Sequence, residues 1–258
     1  MNTRAWYMTM VLMVSVLIPV TTQARTGGSA EEIFFEASRA YHNGAFQEAA
    51  DGYCHLIENG RASGHLYYNL GNAWFRLGRI GKAILAYERA RLLIPRDSDL
   101  VFNLTQARDR TRDEIDDTAA VSFLDILGIE SVNRYEAFAV FALLNILFFA
   151  ILCLRIFRKA EWTYYLTIFL AIFVGIGGCI AAVKWYGPLT DDRAVVISAE
   201  VEVLAGPHPE DTVLFKIHEG AVVHHERSED GWALLRLSEG KRGWAQADQV
   251  ERVVKPSG

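Results

Sequence analysis

Cysteine is scarce in this sequence, and its scarcity limits what the chain can build. Cys54, Cys153 and Cys179 are the three cysteines, too few and too far apart for a disulfide framework or for the ligand spacing of a zinc site. The histidines of residues 42–65 are also scattered without metal-ligand spacing. We therefore expect no metal and no other cofactor.

Basic runs and catalytic motifs are missing as well. The 258 residues carry a net charge of −5, and only segment 155–161 is locally rich in Lys and Arg. A nucleic-acid-binding role therefore has no electrostatic basis. We find no Ser/His/Asp or Cys/His set and no phosphate-binding glycine loop, and the acidic pairs Asp116-Asp117 and Asp191-Asp192 fall in linkers. The sequence predicts a protein that is not an enzyme.

Long apolar runs, by contrast, occur three times. The first spans Ala5 to Val20 and follows Arg4, its positive flank. Small residues at Thr22 and Ala24 complete the pattern of a cleaved secretory signal. We predict a signal peptide over residues 1–24, and the alternative is an uncleaved anchor. In either case the segment after it would be directed out of the cytoplasm.

The other two runs, residues 135–154 and 163–183, are each long enough to cross about 30 Å of hydrocarbon. The loop between them, residues 155–162, contains Arg155, Arg158 and Lys159 and is predicted to be cytoplasmic under the positive-inside rule. The segments on both sides of this hairpin would then be extracytoplasmic, in agreement with the signal peptide. No charged residue lies inside the second span, so an ion pathway is not expected.

Small residues recur every four positions in the second span, at Ala171, Gly175 and Cys179 and again at Gly178 and Ala182. Such spacing lets helix backbones approach closely. We expect these residues to pack the two spans together rather than to form a homodimer seam, with Asn145 hydrogen-bonding across the contact.

Residues 30–97 contain an internal repeat. Its two units, 30–63 and 64–97, align at a constant offset of 34 residues, the period of tetratricopeptide repeats. The second unit resembles the tetratricopeptide consensus at Gly71, Trp74, Ala83, Tyr87 and Pro95, among others. A capping helix is predicted from Asp99 to about Ile115, so that the array covers residues 30–115.

The resemblance to tetratricopeptide arrays implies a concave groove lined by the first helix of each unit and by the capping helix. Only Asn69 and Arg110 match the carboxylate clamp of one tetratricopeptide subfamily, so capture of a chaperone tail is not expected. A short peptide or a single partner helix is the expected ligand. The groove would be lined by Phe34, Ser38, Tyr68, Asn69, Asn72, Phe75, Asn103, Gln106 and Arg110.

Residues 116–133 link the array to the first span. Apolar side chains between Val121 and Ile129 allow two interpretations. The segment either lies on the bilayer as an amphipathic helix or closes the array as a core helix. The sequence leaves both open.

Residues 194–254 show short alternating strands separated by Gly-containing turns. Their order resembles bacterial SH3-like domains, which implies a small all-β barrel. Tyrosine is absent from the module, so polyproline binding is not expected. Trp232 and Trp244 are the candidates for a binding surface, although both could instead pack the barrel.

The chain runs in the order signal peptide, tetratricopeptide units, two-span hairpin and SH3-like barrel. This order resembles that of the BatE-type proteins of bacterial aerotolerance operons. The segment Phe102-Asn103-Leu104 after the repeats belongs to the same resemblance. It implies a multidomain membrane protein of the inner membrane with both modules in the periplasm. The function expected is a protein-protein interaction scaffold in stress tolerance, beside von Willebrand-type and MoxR-type partners. The alternative is an envelope tether whose SH3-like barrel binds peptidoglycan.

Overall fold

The computed structural model describes residues 28–113, 129, 132–157, 160–187, 190–237 and 240–254. The predicted signal peptide, most of the linker 116–133, and Arg158 and Lys159 lie outside the described residues. The chain divides into two compact units. One is built around residues 137–181, and the other comprises residues 30–136 and 182–258.

The larger unit begins with five helices. They are α1 (Gly28–His42), α2 (Phe46–Glu58), α3 (Gly64–Arg76), α4 (Ile80–Arg91) and α5 (Ser98–Arg108). Gly44 and Gly78 connect the first two pairs with φ of 82° and 74°, a left-handed conformation that glycine adopts without steric cost. Ser63 and Asp97 cap α3 and α5 by accepting hydrogen bonds from the backbone N–H groups of Leu66 and Leu100.

Consecutive helices pack as antiparallel hairpins. Gly64, at the start of α3, lies against Ile94, just beyond the end of α4, while Gly71 in the middle of α3 lies against Tyr87 in the middle of α4. A side chain at Gly71 would collide with the Tyr87 ring, which is fully buried. The absence of a side chain at Gly71 thus sets the distance between α3 and α4.

The larger unit ends in one antiparallel sheet of seven strands. They are β1 (Arg193–Val196), β2 (Glu200–Leu204), β3 (Val213–His218), β4 (Val222–Glu229), β5 (Trp232–Arg236), β6 (Arg242–Gln246) and β7 (Val250–Arg252). Their order across the sheet is β3-β2-β6-β5-β4-β1-β7. β1 to β6 overlap the short alternating strands that the sequence predicts within residues 194–254, and the short strand β7 was not among them.

The sheet curls around a single apolar cluster. Val201, Val223 and Leu235 are fully buried in it. Phe215 of β3 and Val250 of β7, from the two edges of the sheet, pack against the same cluster. Both edges of the sheet therefore face one interior.

A second core joins the sheet to the helices. Along β1, Ala194 and Val196 belong to the interior of the sheet, whereas Val195 is buried among residues of the helices. Val253, just after β7, is buried in that second core as well. Because successive side chains of a strand point to opposite faces, β1 is covered on both sides. Helices and sheet thus form one folded body.

The smaller unit contains most of two long apolar helices, α6 (Arg134–Phe157) and α7 (Glu161–Tyr186). Their most apolar windows have mean hydropathies of 2.8 and 2.5, and by length and composition both can cross a membrane. Both helices extend a few residues beyond the predicted spans 135–154 and 163–183.

The packing of α6 on α7 uses only part of the predicted set of small residues. Gly178 lies against Phe141, as does Gly177, whereas Gly175 faces open space and Cys179 is exposed. The expectation that Asn145 hydrogen-bonds across the hairpin is wrong. Its amide donates to the carbonyl oxygen of Phe141 in its own helix, at 2.8 Å, because an i−4 carbonyl is within easy reach.

Candidate functional site

Three of the predicted groove residues are joined in one hydrogen-bonded cluster. The Asn103 amide on α5 donates to the Asn72 Oδ1 atom at 2.9 Å and to the Tyr68 hydroxyl at 3.1 Å, both on α3. The same Oδ1 atom accepts the buried Tyr87 hydroxyl from α4 at 2.7 Å. The cluster therefore ties three helices together, while Tyr68, Asn72 and Asn103 remain only half-buried.

Phe75 and Arg110 form a second contact on the same helices. The Arg110 guanidinium lies 4.2 Å from the centre of the Phe75 ring, a cation–π contact between the end of α3 and the residue just beyond α5. Gln106, one turn before Arg110, is exposed, and Asn69 is half-buried. Phe75 lies three residues after Asn72 on α3 and shares its helix face, so this contact continues the surface of the Asn72–Asn103 cluster.

Phe34 and Ser38 belong to a separate group on α1. Ser38 hydrogen-bonds to the Tyr53 hydroxyl at 3.2 Å, and the Phe34 ring lies 6.0 Å from the Tyr53 ring. Phe34 is still 39% exposed. The nine predicted groove residues thus divide into a group on α3 and α5 and a pair on α1, each with its own internal contacts.

Sequence reasoning did not find the polar interface between helices and sheet. Its centre is Glu88 of α4, which is fully buried. Its carboxylate accepts from Arg91 at 3.0 Å, from Arg108 at 2.5 Å and from Arg193 of β1 at 3.0 Å. A buried carboxylate is tolerated only with such partners, and here three cations surround it.

Further contacts hold the same interface around Glu88. Arg89 donates to the Val253 carbonyl at 3.0 Å and to Glu251 at 2.9 Å. The backbone N–H of Gly81 donates to Glu219 at 2.9 Å, and the Asp113 carboxylate accepts the backbone N–H of His218 at 2.5 Å. A side chain at Gly81 would collide with the backbone of β1, so α4 approaches the sheet where it has no side chain.

The Arg193 guanidinium also holds Asp191, at 2.9 Å from Nε and 2.6 Å from Nη2. Burial raises the pKa of the Asp191 carboxyl, but the hydrogen bonds and charge of Arg193 outweigh burial and hold this pKa below its ordinary value. Arg193 therefore bridges two carboxylates, one on the helices and one at the start of the sheet.

Two signals in the sequence point to this interface. Residues 83–87 are five consecutive apolar residues within α4, and residues 194–197 are four around β1. An amphipathic helix or a half-buried strand alternates with polar residues, whereas continuous apolar runs indicate burial on both sides. β1 and the neighbouring helices together cover the apolar run of α4, while α4 and the interior of the sheet cover the two faces of β1.

Trp232 and Trp244 occupy different environments on the sheet. Trp244 is 7% exposed and has the Arg227 guanidinium 5.1 Å from the centre of its ring. Trp232 is half-buried in β5. Of the two tryptophans, only Trp232 is partly exposed and available for an aromatic contact.

Within residues 28–113 and the other described ranges, no group of three or more His, Cys, Asp or Glu residues is placed to hold a metal ion. His224 and His225 bind different partners, since His224 Nδ1 lies 2.7 Å from Asp192 and His225 Nε2 lies 2.8 Å from Ser228.

Comparisons of the chain with models of protein families, with curated proteins and with solved structures found no match.

Proposed function

We propose that the protein is a membrane-anchored adaptor that binds a protein segment on the surface formed by α3 and α5. In this proposal, residues 30–115 are a tetratricopeptide-type array, residues 194–254 are an SH3-like barrel, and α6 and α7 span the membrane. Helix ends support the first assignment: α1 and α3 end 34 residues apart at His42 and Arg76, and α2 and α4 begin 34 residues apart at Phe46 and Ile80.

The observation that carries the proposal is the half-buried amide pair Asn72 and Asn103, set on a rigid frame. The bonds within the cluster use the Asn72 Oδ1 atom and the Asn103 NH₂ group. The Asn72 NH₂ group can therefore donate to a peptide backbone, and the Asn103 carbonyl oxygen can accept from one. Their mutual hydrogen bond and the bond from Tyr87 fix their orientation before a ligand arrives. Side chains already ordered lose less conformational entropy on binding.

The surroundings of the pair indicate what kind of segment would bind. The Arg110 guanidinium, stacked on Phe75, is exposed and offers a positive charge beside an aromatic face. Tyr68 and Gln106 add further hydrogen-bonding groups. We infer that the partner presents an extended or helical segment with an acidic side chain near Arg110.

The proposed location is the bacterial inner membrane, with helices and sheet in the periplasm and loop 155–162 in the cytoplasm. The shared core of Val195 and Val253 with the helices supports the placing of both modules on one side, because no bilayer can separate groups packed together. Following the resemblance to BatE-type proteins, the proposed partners are exported domains of von Willebrand-type membrane proteins. A cytoplasmic MoxR-type ATPase could contact only loop 155–162.

Peptidoglycan tethering has less support than the adaptor role. Sugar rings commonly stack on exposed aromatic side chains, and Trp244 is buried. The test is retention of the detergent-solubilised full chain on purified sacculi, because a fragment of residues 190–258 would expose Val195 and Val253. Retention that depends on Trp232 would favour the tether.

The adaptor proposal is tested by site-specific crosslinking in intact membranes. A photoactivatable residue replaces Gln106, which is exposed on the proposed surface, rather than Asn72, whose oxygen holds Tyr87. The matched control replaces Gln47, which is exposed on α2 and bonds only with neighbouring Asp51 in an exposed pair.

We expect a discrete crosslinked protein with the probe at position 106 and none with the probe at position 47. The substitution Arg110→Gln should reduce the yield of that product. Identical patterns at both positions would refute a binding surface on α3 and α5.

A further inference from the structure

A cavity of about 610 Å³ opens in the larger unit, away from the surface of α3 and α5 that the adaptor proposal uses. Its wall comes from the first turn of α3, from Leu92 to Ile94 after α4, from Val253-Val254, and from Arg134 and Tyr135, the first residues of α6. The cavity therefore lies where the folded unit continues into an apolar helix.

The lining is cationic. It includes Arg89 and Arg134, and none of the described residues that line it is acidic. Arg89 is held in place by the carbonyl oxygens of Arg252 and Val253 and by Glu251, so its charge is partly balanced. Arg134 is the stronger indication of a ligand, because its Nε atom is buried and has no hydrogen-bond partner.

A buried donor without an acceptor costs free energy, and the cost is larger for a charged group. Native structures keep very few such groups, so an acceptor that binds reversibly is a physical explanation. The guanidinium group matches the geometry of a phosphate, to which it can donate two hydrogen bonds. The first turn of α3, which has no acidic residue, adds the partial positive charge of a helix N-terminus.

The rest of the wall favours a lipid over a free anion. Leu92, Leu93, Ile94 and Val254 are apolar, as is one face of Tyr67. A soluble phosphate gains nothing from such a surface, whereas the glycerol and upper acyl carbons of a phospholipid do. Tyr135, more than half exposed beside Arg134, is a residue type enriched at membrane interfaces.

We propose that this cavity binds the headgroup of an anionic phospholipid, whose phosphate accepts from Arg134. The inference rests on the proposed membrane attachment through α6 and α7. Binding of the lipid would satisfy the Arg134 Nε atom and would connect the folded unit to the bilayer at the start of α6.

The experiment is native mass spectrometry of the full chain in non-ionic detergent. It is titrated with phosphatidylglycerol, with phosphatidylcholine and with inorganic phosphate. The variant Arg134→Gln removes the donor, and Arg134→Lys keeps the charge without the Nε atom. The matched control is Arg79→Gln, an exposed arginine at the opposite end of α4 from Leu92. Circular dichroism shows that each variant is folded.

We expect phosphatidylglycerol to bind more tightly than phosphatidylcholine. Arg134→Gln should weaken the phosphatidylglycerol complex about tenfold, the effect of losing one charge-assisted hydrogen bond. The phosphatidylglycerol affinity of Arg134→Lys should lie between those of Arg134→Gln and the unchanged protein. The affinity of Arg79→Gln should equal that of the unchanged protein. Equal affinities for all four proteins would overturn the proposal, as would inorganic phosphate binding as tightly as the lipid.

Failure of the membrane assignment would be visible separately. A chain that alkaline carbonate extracts from membranes is not integral, and the proposed function then loses its anchor. If the chain is integral but its lipid affinity does not depend on Arg134, only the proposed headgroup site is refuted.

Discussion

Glu88 and Arg193 lie 105 residues apart in the chain, and yet the Arg193 Nη1 atom is 3.0 Å from the buried carboxylate of Glu88. The pair joins α4 to β1 across the core that both elements share. The arginines at positions 91 and 108 reach the same carboxylate from the helix side. The interface between helices and sheet is therefore centred on one negative charge.

Replacement of Glu88 should destabilise the larger unit strongly. Glu88→Gln removes the carboxylate that holds Arg91 and Arg108 and leaves Arg193 with Asp191 alone. Breaking a buried ion pair costs about 3–5 kcal/mol. The measurement is urea unfolding in detergent, followed by tryptophan fluorescence. Glu251→Gln is the matched control, because the Glu251 side chain is 38% exposed and its pair with Arg89 should be worth no more than about 1 kcal/mol. Equal losses for both variants would refute a dominant role for Glu88.

Gly71→Ala should destabilise the packing of α3 on α4. The added methyl group would meet the buried ring of Tyr87, whose hydroxyl is bonded to Asn72 and cannot move away freely. Overpacking of this kind costs about 1–3 kcal/mol, which exceeds the gain in helix propensity from alanine. The comparison is Gly175→Ala in α7, where nothing lies within 4 Å of the added atom. The midpoint of urea unfolding should fall for Gly71→Ala alone. An unchanged midpoint would contradict the close approach of α3 and α4.

Acid should weaken the start of the sheet through Asp191. Its pKa is lower in the folded protein than in the unfolded chain, so its contribution to stability is present above the unfolded pKa. That contribution is lost as the pH falls from the ordinary carboxylate range, near pH 4, towards the folded pKa. Asp191→Asn should be less stable than the unchanged chain at neutral pH, and the difference should shrink on acidification. A difference independent of pH would show that Asp191 does not act through its charge.

The proposed topology predicts which side of the membrane each segment occupies. The test uses three variants, each with a single cysteine, in a chain from which the native cysteines are removed. The cysteine replaces Gln47, Glu210 or Ala160. Intact spheroplasts are then treated with a maleimide that cannot cross the membrane. Positions 47 and 210 are exposed on helices and sheet and should react. Position 160, in the loop between α6 and α7, should react only after lysis. Labelling of position 160 in intact spheroplasts would contradict the proposed topology.

The native Cys54 should react more slowly than these engineered sites. Burial is the main reason that the pKa of its thiol is raised, and Glu58 and Asp51 raise it further. Because the thiolate is the reactive form, less of it is present at neutral pH. Labelling of Cys54 with iodoacetamide should accelerate on unfolding, whereas a rate equal to that of an exposed cysteine at position 47 would contradict its burial.

Periodicity predicted the separate elements well. The 34-residue offset and the apolar runs in α6 and α7 are local properties of the chain, so the helices of the repeat and the candidate spans followed from them. The capping helix was predicted too long, since α5 ends at Arg108 and residues 109–113 are not helical. The alternating strands of residues 194–246 are similarly local. The short strand β7 was missed, because Val250–Arg252 is too brief to show alternation.

Association between the elements could not be predicted in the same way. In the sequence, Glu88 is one of several charged residues of a helix. Its burial becomes understandable only when Arg193 lies beside it. The continuous apolar runs of α4 and β1 indicate that each element is buried on both sides. They do not indicate which element covers which. The orientation of Asn145 was also mispredicted, since a side chain can satisfy itself within its own helix as easily as across a contact.

The interruption of the larger unit by the apolar hairpin has a consequence for biosynthesis. Glu88 leaves the ribosome long before Arg193, and α6 and α7 must be synthesised in between. During that interval the outer side of α4 has no sheet to cover it, and Arg91 and Arg108 are the nearest cations available to Glu88. These two arginines lie on the helices themselves, so the nascent array carries its own temporary counter-charge. Docking of β1 on α4 can therefore occur only after both apolar helices have been made.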